Sequence, residues 1–144
     1  MHGYGLFAKH AISKGIKIIE YVGEKITKKE GDYRADEQIA KALKEKGNGK
    51  VYIFELNKKY DIDGQVRYNH ARFINHSCSP NCEVENIRNR LWILSKKNIR
   101  KGDEISYNYG YPYDSDYKDH KCNCGSPNCL GYILKKNHWK KITN

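Results

Sequence analysis

The sequence contains no long apolar run. No segment of its 144 residues approaches the roughly 18 consecutive apolar residues of a membrane helix, and the N-terminus lacks a signal-peptide pattern. Internal repeats and low-complexity segments are also absent. A hydrophobic fraction of 38% still suffices for a folded core, although 144 residues leave no room for a second one. We therefore expect one soluble domain with no membrane contact.

Cysteine is scarce and odd in number. A disulfide framework in a secreted domain favours an even count, whereas this chain has five cysteines. Three of them, Cys122, Cys124 and Cys129, lie within eight residues on a Gly/Ser/Pro turn. They are either unrelated buried thiols or three of the four tetrahedral ligands that a structural zinc requires, which we favour. The candidates for a fourth ligand are Cys78, Cys82, His76 and His120.

Acidic residues are outnumbered by basic ones, 17 to 27, which gives a formal net charge of +10. Such a balance suits contact with nucleic acid or chromatin, and it is equally typical of a lysine-rich solvated surface. The basic residues concentrate only in the tail, at Lys135, Lys136, Lys140 and Lys141. A basic peptide would need a local acidic patch, or these acidic residues form an ordinary solvated loop. The candidates for that patch are Asp114, Asp116 and Asp119.

The pattern of apolar residues and turns predicts one main helix among short strands. Thr27-x-x-Glu30 matches a capping box, and helix-forming residues continue to about Lys46, where Gly47-Asn48-Gly49 should end the helix. The predicted strands cover residues 16–22, 51–56, 60–63, 91–94 and 105–109. Residues 110–121 are predicted as a loop, followed by a C-terminal appendage. We therefore expect a β-rich fold of several small sheets.

Two segments carry polar or flexible groups suited to a ligand. Arg72 through Cys82 is the densest run of amide, imidazole, hydroxyl and thiol groups in the chain. Asn75 and His76 could bind the polar edge of a nucleotide-like ligand, or His76 is an ordinary hydrogen-bonded loop histidine. Near the start, Gly3-Tyr4-Gly5 would let the backbone approach a ligand closely.

Tyrosines recur at every second position from Tyr107 through Tyr109 and Tyr111 to Tyr113. On a strand this spacing places their phenols on one face, at least until Pro112. Such a row is either core or interface, or it lines an aromatic channel that binds an ammonium group by cation–π attraction.

In this order, these segments resemble the SET-domain lysine methyltransferases that carry a post-SET zinc motif. The specific parts are Asn-His-Ser-Cys at 75–78 and the C-x-C-x4-C spacing of the three clustered cysteines. The matching segments are Gly3-Tyr4-Gly5, Glu20-Tyr21-Val22-Gly23-Glu24, Tyr52-Ile53-Phe54, 72–82, 102–109 and 122–129. Two mild departures are Asn108, where the family often has Asp, and Tyr4, where it often has Trp.

The resemblance implies a fold, a cofactor and a metal. The fold would be a SET body over residues 1–113, with a helical insert at about 27–49 and a knot-like crossing, an exception to unthreaded topology. A post-SET zinc knuckle and basic tail would span residues 114–144. Cys78 would be the fourth zinc ligand, and Cys82 a buried thiol. S-adenosyl-L-methionine would be bound by Gly3, Tyr4, Gly5, Tyr52, Arg72, Phe73, Asn75 and His76.

The resemblance also implies an activity. Tyr109 falls at the catalytic tyrosine, Tyr21 would line the lysine channel, and Tyr107 would set how many methyl groups are transferred. We expect methyl transfer to a lysine of a basic peptide such as a histone tail, mainly as monomethylation, in the nucleus if the source is eukaryotic and otherwise in the cytoplasm. The alternatives are a methyltransferase for a non-histone basic protein, a non-catalytic chromatin-binding module, and a basic zinc-containing nucleic-acid binder.

Overall fold

The computed structural model describes residues 4–45, 50–111, 113–115 and 117–142. Within these residues there is one α-helix, α1, which spans Lys28–Lys44. The strands are β1 (Lys17–Tyr21), β2 (Glu24–Thr27), β3 (Ile53–Glu55), β4 (Tyr60–Asp63), β5 (Asn75–His76), β6 (Cys82–Ile87), β7 (Arg90–Ser95) and β8 (Ser106–Tyr107). Short 3-10 helices span His70–Phe73, Tyr117–Asp119 and Lys136–Lys141. The predicted β-rich class with one main helix is confirmed.

Helix α1 begins where the capping box predicts. The Thr27 side chain accepts a hydrogen bond from the Glu30 backbone N–H at 3.2 Å, which satisfies one of the free donors of the first turn. The helix lies close to β4 because residue 31 is glycine: a Cβ there would come within 2.2 Å of a carboxylate oxygen of Asp61. The predicted end at Gly47-Asn48-Gly49 lies outside the described residues.

Two antiparallel sheets form most of the body. One has the order β1-β7-β6 and the other the order β2-β4-β3. The predictions for β1, β3, β4 and β7 are confirmed, with shorter bounds at β3. Strands β2 and β6 are not predicted from the sequence, because charged side chains interrupt their apolar pattern. The β6–β7 hairpin turns at Arg88 and Asn89, whose φ angles of 53° and 62° match the left-handed turns that join antiparallel strands.

A third, two-stranded sheet pairs β5 with β8 in parallel, Asn75 opposite Ser106 and His76 opposite Tyr107. The predicted strand 105–109 is therefore longer than the observed one. The ladder ends after Tyr107 because the Tyr109 backbone N–H donates to the His76 side chain instead of to a strand. This pair brings the Asn75–His76 segment beside the tyrosine row.

The core extends into the C-terminal residues. Ile74 and Ile93 are fully buried at its centre, and Ile133 and Leu134 are buried just as completely, at 1% and 0% exposure. The Lys135 backbone N–H also donates to the Tyr111 carbonyl at 2.8 Å. The C-terminal segment therefore packs into the body. In the part of the chain that the structure describes, no helix has the length and apolar character needed to cross a membrane.

Candidate active site and metal centre

Three of the four tyrosines of the row form a contiguous cluster. The ring centroids of Tyr107 and Tyr109 are 5.0 Å apart, and those of Tyr109 and Tyr111 are 5.8 Å apart. Tyr113 does not join them: its ring is 4.9 Å from that of Tyr117, and it is 39% exposed. We call Tyr107, Tyr109 and Tyr111, with Tyr21, the tyrosine cluster.

Tyr109 is fixed at both ends by the segment that precedes and forms β5. Its backbone N–H donates to His76 Nδ1 at 3.0 Å, and its hydroxyl donates to the Ile74 carbonyl oxygen at 2.6 Å. Burial raises the pKa of Tyr109 well above its ordinary value, with smaller contributions from neighbouring tyrosines. The phenol therefore stays protonated near neutral pH and acts as a positioned hydrogen-bonding group, not as a base.

Tyr21 and Tyr107 both pack against the ring of Phe54. The ring centroid of Phe54 lies 4.5 Å from that of Tyr21 and 5.8 Å from that of Tyr107. The Tyr21 hydroxyl donates to the Tyr52 carbonyl at 2.9 Å, and a Cβ at Gly64 would lie 2.4 Å from the Tyr21 ring. Burial raises the pKa of both tyrosines, so the cluster presents neutral phenols.

A cleft of about 910 Å³, the main cleft, opens beside this cluster. Its walls come from α1, from the segment before β5 and from residues 118–123. Five of the predicted cofactor-binding residues line it, namely Tyr4, Tyr52, Arg72, Phe73 and Asn75. Gly5 and His76 are not among its lining residues, and Gly3 lies outside the described residues.

Gly5 instead supports a residue that lines the cleft. A Cβ at Gly5 would lie 2.5 Å from a Glu104 carboxylate oxygen and 3.2 Å from Asn75 Nδ2, so a side chain there would displace both. The Asn75 amide donates to the Tyr4 carbonyl and to Glu104, each at 2.8 Å. The glycine thus permits the close approach that fixes the Asn75 side chain at the cleft.

Lys50 connects the main cleft to the tyrosine cluster. Its ammonium donates to the Arg72 carbonyl at 2.5 Å and to the Ile74 carbonyl at 3.3 Å. It also lies 5.0 Å from the ring centroid of Tyr52 and 5.2 Å from that of Tyr109. Burial, helped by the charge of Arg72, lowers the pKa of Lys50 to about 8. Sequence reasoning missed this residue, because an isolated lysine before a strand is not a recognisable motif.

These contacts test whether the site suits the expected cofactor. Carbonyl oxygens and aromatic faces stabilise a positive charge, and here they already surround the cationic Lys50. A sulfonium is likewise a cation, so the residues present fit S-adenosylmethionine.

Four cysteines converge at one point. The sulfur atoms of Cys78, Cys122, Cys124 and Cys129 all lie within 4.8 Å of one another. Cys122 Sγ is 3.9 Å from that of Cys78 and 3.8 Å from that of Cys129. Zinc–sulfur bonds of about 2.3 Å in a tetrahedron place the sulfurs about 3.8 Å apart. The donor set and its spacing therefore fit zinc.

The structure distinguishes between the four candidates for the fourth metal ligand. Cys78 lies with the cluster, whereas the other three have different contacts. Cys82 is a buried thiol outside the group, and burial raises its pKa to about 11. His120 packs against the Tyr111 ring at 4.5 Å between centroids.

His76 links the cysteine cluster to Tyr109. Because its Nδ1 accepts the Tyr109 backbone N–H, the proton of the neutral imidazole lies on Nε2. Nε2 is 3.6 Å from Cys78 Sγ and can donate to it. A metal-bound sulfur would thus orient the ring that positions the Tyr109 backbone.

A second cleft, of about 380 Å³, lies between α1 and β3 and reaches Tyr111. We call it the acidic cleft, because four of its lining residues are Asp32, Glu55, Asp61 and Asp114, with Lys28 as the basic member. Of the three acidic residues predicted to form a patch, Asp114 lies here and Asp119 lines the main cleft. Asp116 lies outside the described residues.

Comparison with known proteins identifies the family of the chain. A family model described as "SET domain" matches residues 3–110. Histone-lysine N-methyltransferase set-2 of Caenorhabditis elegans is 38% identical over 137 residues, which are 92% of this chain and 9% of the relative. An H3 lysine-4 specific histone-lysine N-methyltransferase of Schizosaccharomyces pombe is 36% identical over 137 residues, 92% of this chain and 14% of the relative. Histone-lysine N-methyltransferase ATXR7 of Arabidopsis thaliana is 40% identical over 132 residues, 89% of this chain and 9% of the relative.

The chain spans at most 14% of the length of these relatives, so it corresponds to one region of much longer proteins. That region is the one that carries the cleft, the tyrosine cluster and the parallel β5–β8 pair. Since the family match covers residues 3–110 of the 144, the chain belongs to the SET domain family.

Proposed function

We propose that the protein is a protein-lysine N-methyltransferase that uses S-adenosyl-L-methionine. The observation that carries this proposal is the position of Tyr109, a neutral phenol fixed beside two carbonyl oxygens that already hold a lysine ammonium at the end of the main cleft. The names of the relatives support the same reaction class.

The main cleft would hold the methyl donor. Tyr4, Phe73 and Tyr52 offer aromatic surface, while Arg72 and Asn75 offer polar groups. The Tyr4 and Phe73 rings, 5.7 Å apart between centroids, pack against each other and would offer aromatic surface to an apolar or planar part of the ligand. When bound, S-adenosylmethionine supplies an electrophilic methyl group that a neutral amine accepts by direct displacement.

The tyrosine cluster would receive the acceptor lysine. Its phenols are buried and neutral, so the surroundings disfavour an ammonium and favour the reactive free amine. Lys50 illustrates the direction of this effect, since burial beside Tyr109 lowers its pKa to about 8. The Tyr109 hydroxyl donates to Ile74, and its oxygen can accept an N–H from the substrate amine and so orient the lone pair.

Tyr107 supports a proposal of mainly monomethylation. The residue is 3% exposed and its ring packs against that of Tyr109, so it lies in a confined space beside the proposed acceptor site. A phenol there can hold a water molecule, which leaves less room for an amine that already carries methyl groups. Phenylalanine at this position would free that room.

A basic peptide, such as a histone tail, is the substrate we propose. The acidic cleft reaches Tyr111 of the tyrosine cluster, so it offers carboxylates beside the route to the acceptor site. A histone H3 tail is the first peptide to test, since the Schizosaccharomyces pombe relative is named as specific for H3 lysine 4. In a eukaryotic cell this substrate would place the protein at chromatin, where its basic surface could also contact nucleic acid.

Zinc is the metal we propose for the four cysteines. It would fix residues 122–129 to Cys78, and through them the wall of the main cleft that residues 118–123 provide. We also propose the division into a SET body, residues 1–113, and a closing segment, residues 114–144. The family match, which ends at residue 110, is close to that boundary.

A labelled-donor assay tests the proposed function. The protein is incubated with methyl-labelled S-adenosylmethionine and histones, and in parallel with whole-cell protein. We expect label on a lysine, and none with a Tyr109→Phe control that still binds the donor. Donor binding without transfer to any protein would instead support a non-catalytic module. Salt-sensitive DNA binding without donor binding would support the nucleic-acid binder.

A further inference from the structure

A lysine of the chain itself lies where the main cleft meets the tyrosine cluster. Lys50 Nζ donates to the Arg72 and Ile74 carbonyl oxygens, and the second of these also accepts the Tyr109 hydroxyl hydrogen bond. The mechanism proposed above assigns no role to this side chain. Its ammonium nevertheless contacts the two carbonyl oxygens and the Tyr109 ring at the proposed reacting centre.

Lys50 lies on the donor side of that centre. It lines the main cleft together with Tyr52 and Arg72, whereas Tyr21 and Tyr107 do not line this cleft. An acceptor amine for in-line transfer must approach from the side opposite the donor. Lys50 is therefore placed as a rival of the donor and not as a substrate of the enzyme.

We propose that the Lys50 ammonium occupies the sulfonium position of the cofactor-free protein and competes with S-adenosylmethionine for the Arg72 and Ile74 carbonyl oxygens. The sulfonium would lie against these oxygens through its positive charge and its C–H groups, and it cannot do so while the ammonium holds the same place, so the donor binds only when Lys50 withdraws. The inference rests on the proposed function, because it assumes that this cleft binds the donor.

The backbone next to Lys50 is fixed, so the side chain is the part that moves. The Val51 N–H donates to the Tyr111 hydroxyl at 2.8 Å, and the Tyr52 N–H donates to the Gln38 side chain, also at 2.8 Å. Residue 50 thus stays at the cleft wall while its flexible four-carbon side chain can turn toward the cleft mouth. Rotation of the Lys50 side chain would therefore open the position proposed for the donor.

Displacement of Lys50 has a consequence for protons. Inside the site its pKa is lowered to about 8, mainly by burial and further by Arg72. In water a lysine amine returns to a pKa of about 10.4. Between these two values the donor-bound protein holds more protons than the free protein, so donor binding takes up a proton and weakens as pH rises.

Other charged or titratable groups surround Lys50. Arg72 approaches from the 3-10 helix, Tyr52 from the segment before β3, and Tyr109 and Tyr111 from the tyrosine cluster. The remaining charged residues that line the main cleft are Lys41, Glu45, Lys118, Asp119 and Lys121. Burial raises the pKa of Tyr52, Tyr109 and Tyr111. The proton uptake must therefore be assigned to Lys50 with a variant.

The test measures binding of S-adenosylmethionine, and separately of S-adenosylhomocysteine, by calorimetry. The proteins are the unmutated chain, Lys50→Met and the control Lys41→Met, which removes an exposed lysine from the same cleft. Near neutral pH the Lys50 amine is charged, because its pKa is about 8. There we expect Lys50→Met to bind the donor roughly tenfold more tightly, because about one charged hydrogen bond no longer has to be broken. Lys41→Met leaves the carbonyl contacts of Lys50 in place, so it should change the affinity less than Lys50→Met does.

Proton uptake provides a second readout that does not depend on affinity. Titrations near pH 9 in two buffers of different ionisation enthalpy should show net uptake by the unmutated protein and by Lys41→Met, but none by Lys50→Met. Equal donor affinity and equal uptake in the unmutated protein and Lys50→Met would overturn the inference and leave the proposed function intact. Equal tightening by Lys41→Met would also overturn it, since the effect would then be general charge. Failure of the folded, unmutated protein to bind either compound would overturn the proposed function itself.

Discussion

The two regions that we propose, the SET body and the closing segment, are stabilised by different means. The body is built on the antiparallel β1-β7-β6 and β2-β4-β3 sheets. In the described part of the closing segment, the regular structure consists of two 3-10 helices and the single bridge between Lys121 and Tyr132. Two buried apolar residues, Ile133 and Leu134, and the four-cysteine cluster attach it to the body.

Because of this difference, folding of the body and assembly of the site should depend on different interactions. Backbone ladders and buried isoleucines supply most of what the body needs, so it should fold without metal. The closing segment has too little regular structure to do so alone, and ligation energy would take the place of a core. Its residues 118–123 nevertheless form a wall of the main cleft, so the metal would control a site whose chemical groups lie in the body.

Metal removal should have the largest effect, and it should distinguish the closing segment from the body. Chelation, or Cys122→Ser, is expected to reduce methyl transfer to background because the cleft wall is lost, while the sheets of the body remain folded. Activity and far-ultraviolet circular dichroism measured on the same samples check this. Cys82→Ser is the matched control, since that thiol lies outside the cluster. Collapse of both signals together would mean that body and closing segment fold as one unit.

Removal of the Tyr109 hydroxyl should affect the body's chemistry without affecting the closing segment. Tyr109→Phe loses the donor to Ile74 and the group that orients the amine. We expect turnover to fall by about 100-fold or more, since misplaced reacting groups cost about that much. Calorimetry should show donor binding largely retained. Normal turnover would mean that the catalytic role belongs to another residue.

Two isoleucine substitutions compare the stability of the regions. Ile93→Ala should lower the free energy of unfolding of the body by about 3 kcal/mol, because it leaves a cavity at the centre of the β1-β7-β6 sheet. Ile133→Ala should affect the body less and should instead accelerate amide exchange in the closing segment. Denaturant unfolding and hydrogen exchange distinguish these effects, and equal losses in the body would contradict the separation.

Tyr107→Phe tests whether Tyr107 limits the number of methyl groups that are transferred to one lysine. Removing the phenol that can hold a water should shift the products from monomethyl-lysine toward the di- and trimethyl forms, with the fold unchanged because the ring remains buried. Mass spectrometry of a methylated peptide measures the distribution. Trimethylation by the unmutated protein would show that Tyr107 does not set the limit.

The smallest effect is expected at the acidic cleft, which both regions form. Asp114→Lys reverses one of its charges and should raise the KM for a basic peptide by about threefold, in line with a screened surface interaction. The kcat should stay constant, because Asp114 is not among the residues of the tyrosine cluster. A KM that is unchanged at low salt would exclude a role for this carboxylate in peptide binding.

Local sequence patterns predicted much of the body. The capping box at Thr27 places the start of α1, and the alternating apolar residues predict β1, β4 and β7. Strands β2 and β6 could not be predicted in this way, because charged residues interrupt their apolar pattern. In β2 such a residue is stabilised by a partner on another element. Arg34, for example, binds Glu24 of β2 and Asp63 of β4, at 2.9 and 3.0 Å.

The candidate site was predicted in its residue types but not in its arrangement. Motif spacing alone identified the tyrosine row and the three clustered cysteines. It left four candidates for the remaining metal ligand, and the fold brings Cys78 next to Cys122 across 44 positions of sequence. Lys50 had no signal at all, since its role depends on carbonyl oxygens from a different segment.

The sequence by itself therefore determined the family, the β-rich class and the chemical groups, because these depend on residue types at fixed local spacing. Only the tertiary structure decided which groups meet: His76 between Tyr109 and Cys78, carboxylates collected at the acidic cleft, and a lysine ammonium at the carbonyl oxygens of another segment. The physical reason is that hydrogen bonds and charge interactions act over a few ångströms in space, and the fold sets those distances between residues that are far apart in sequence.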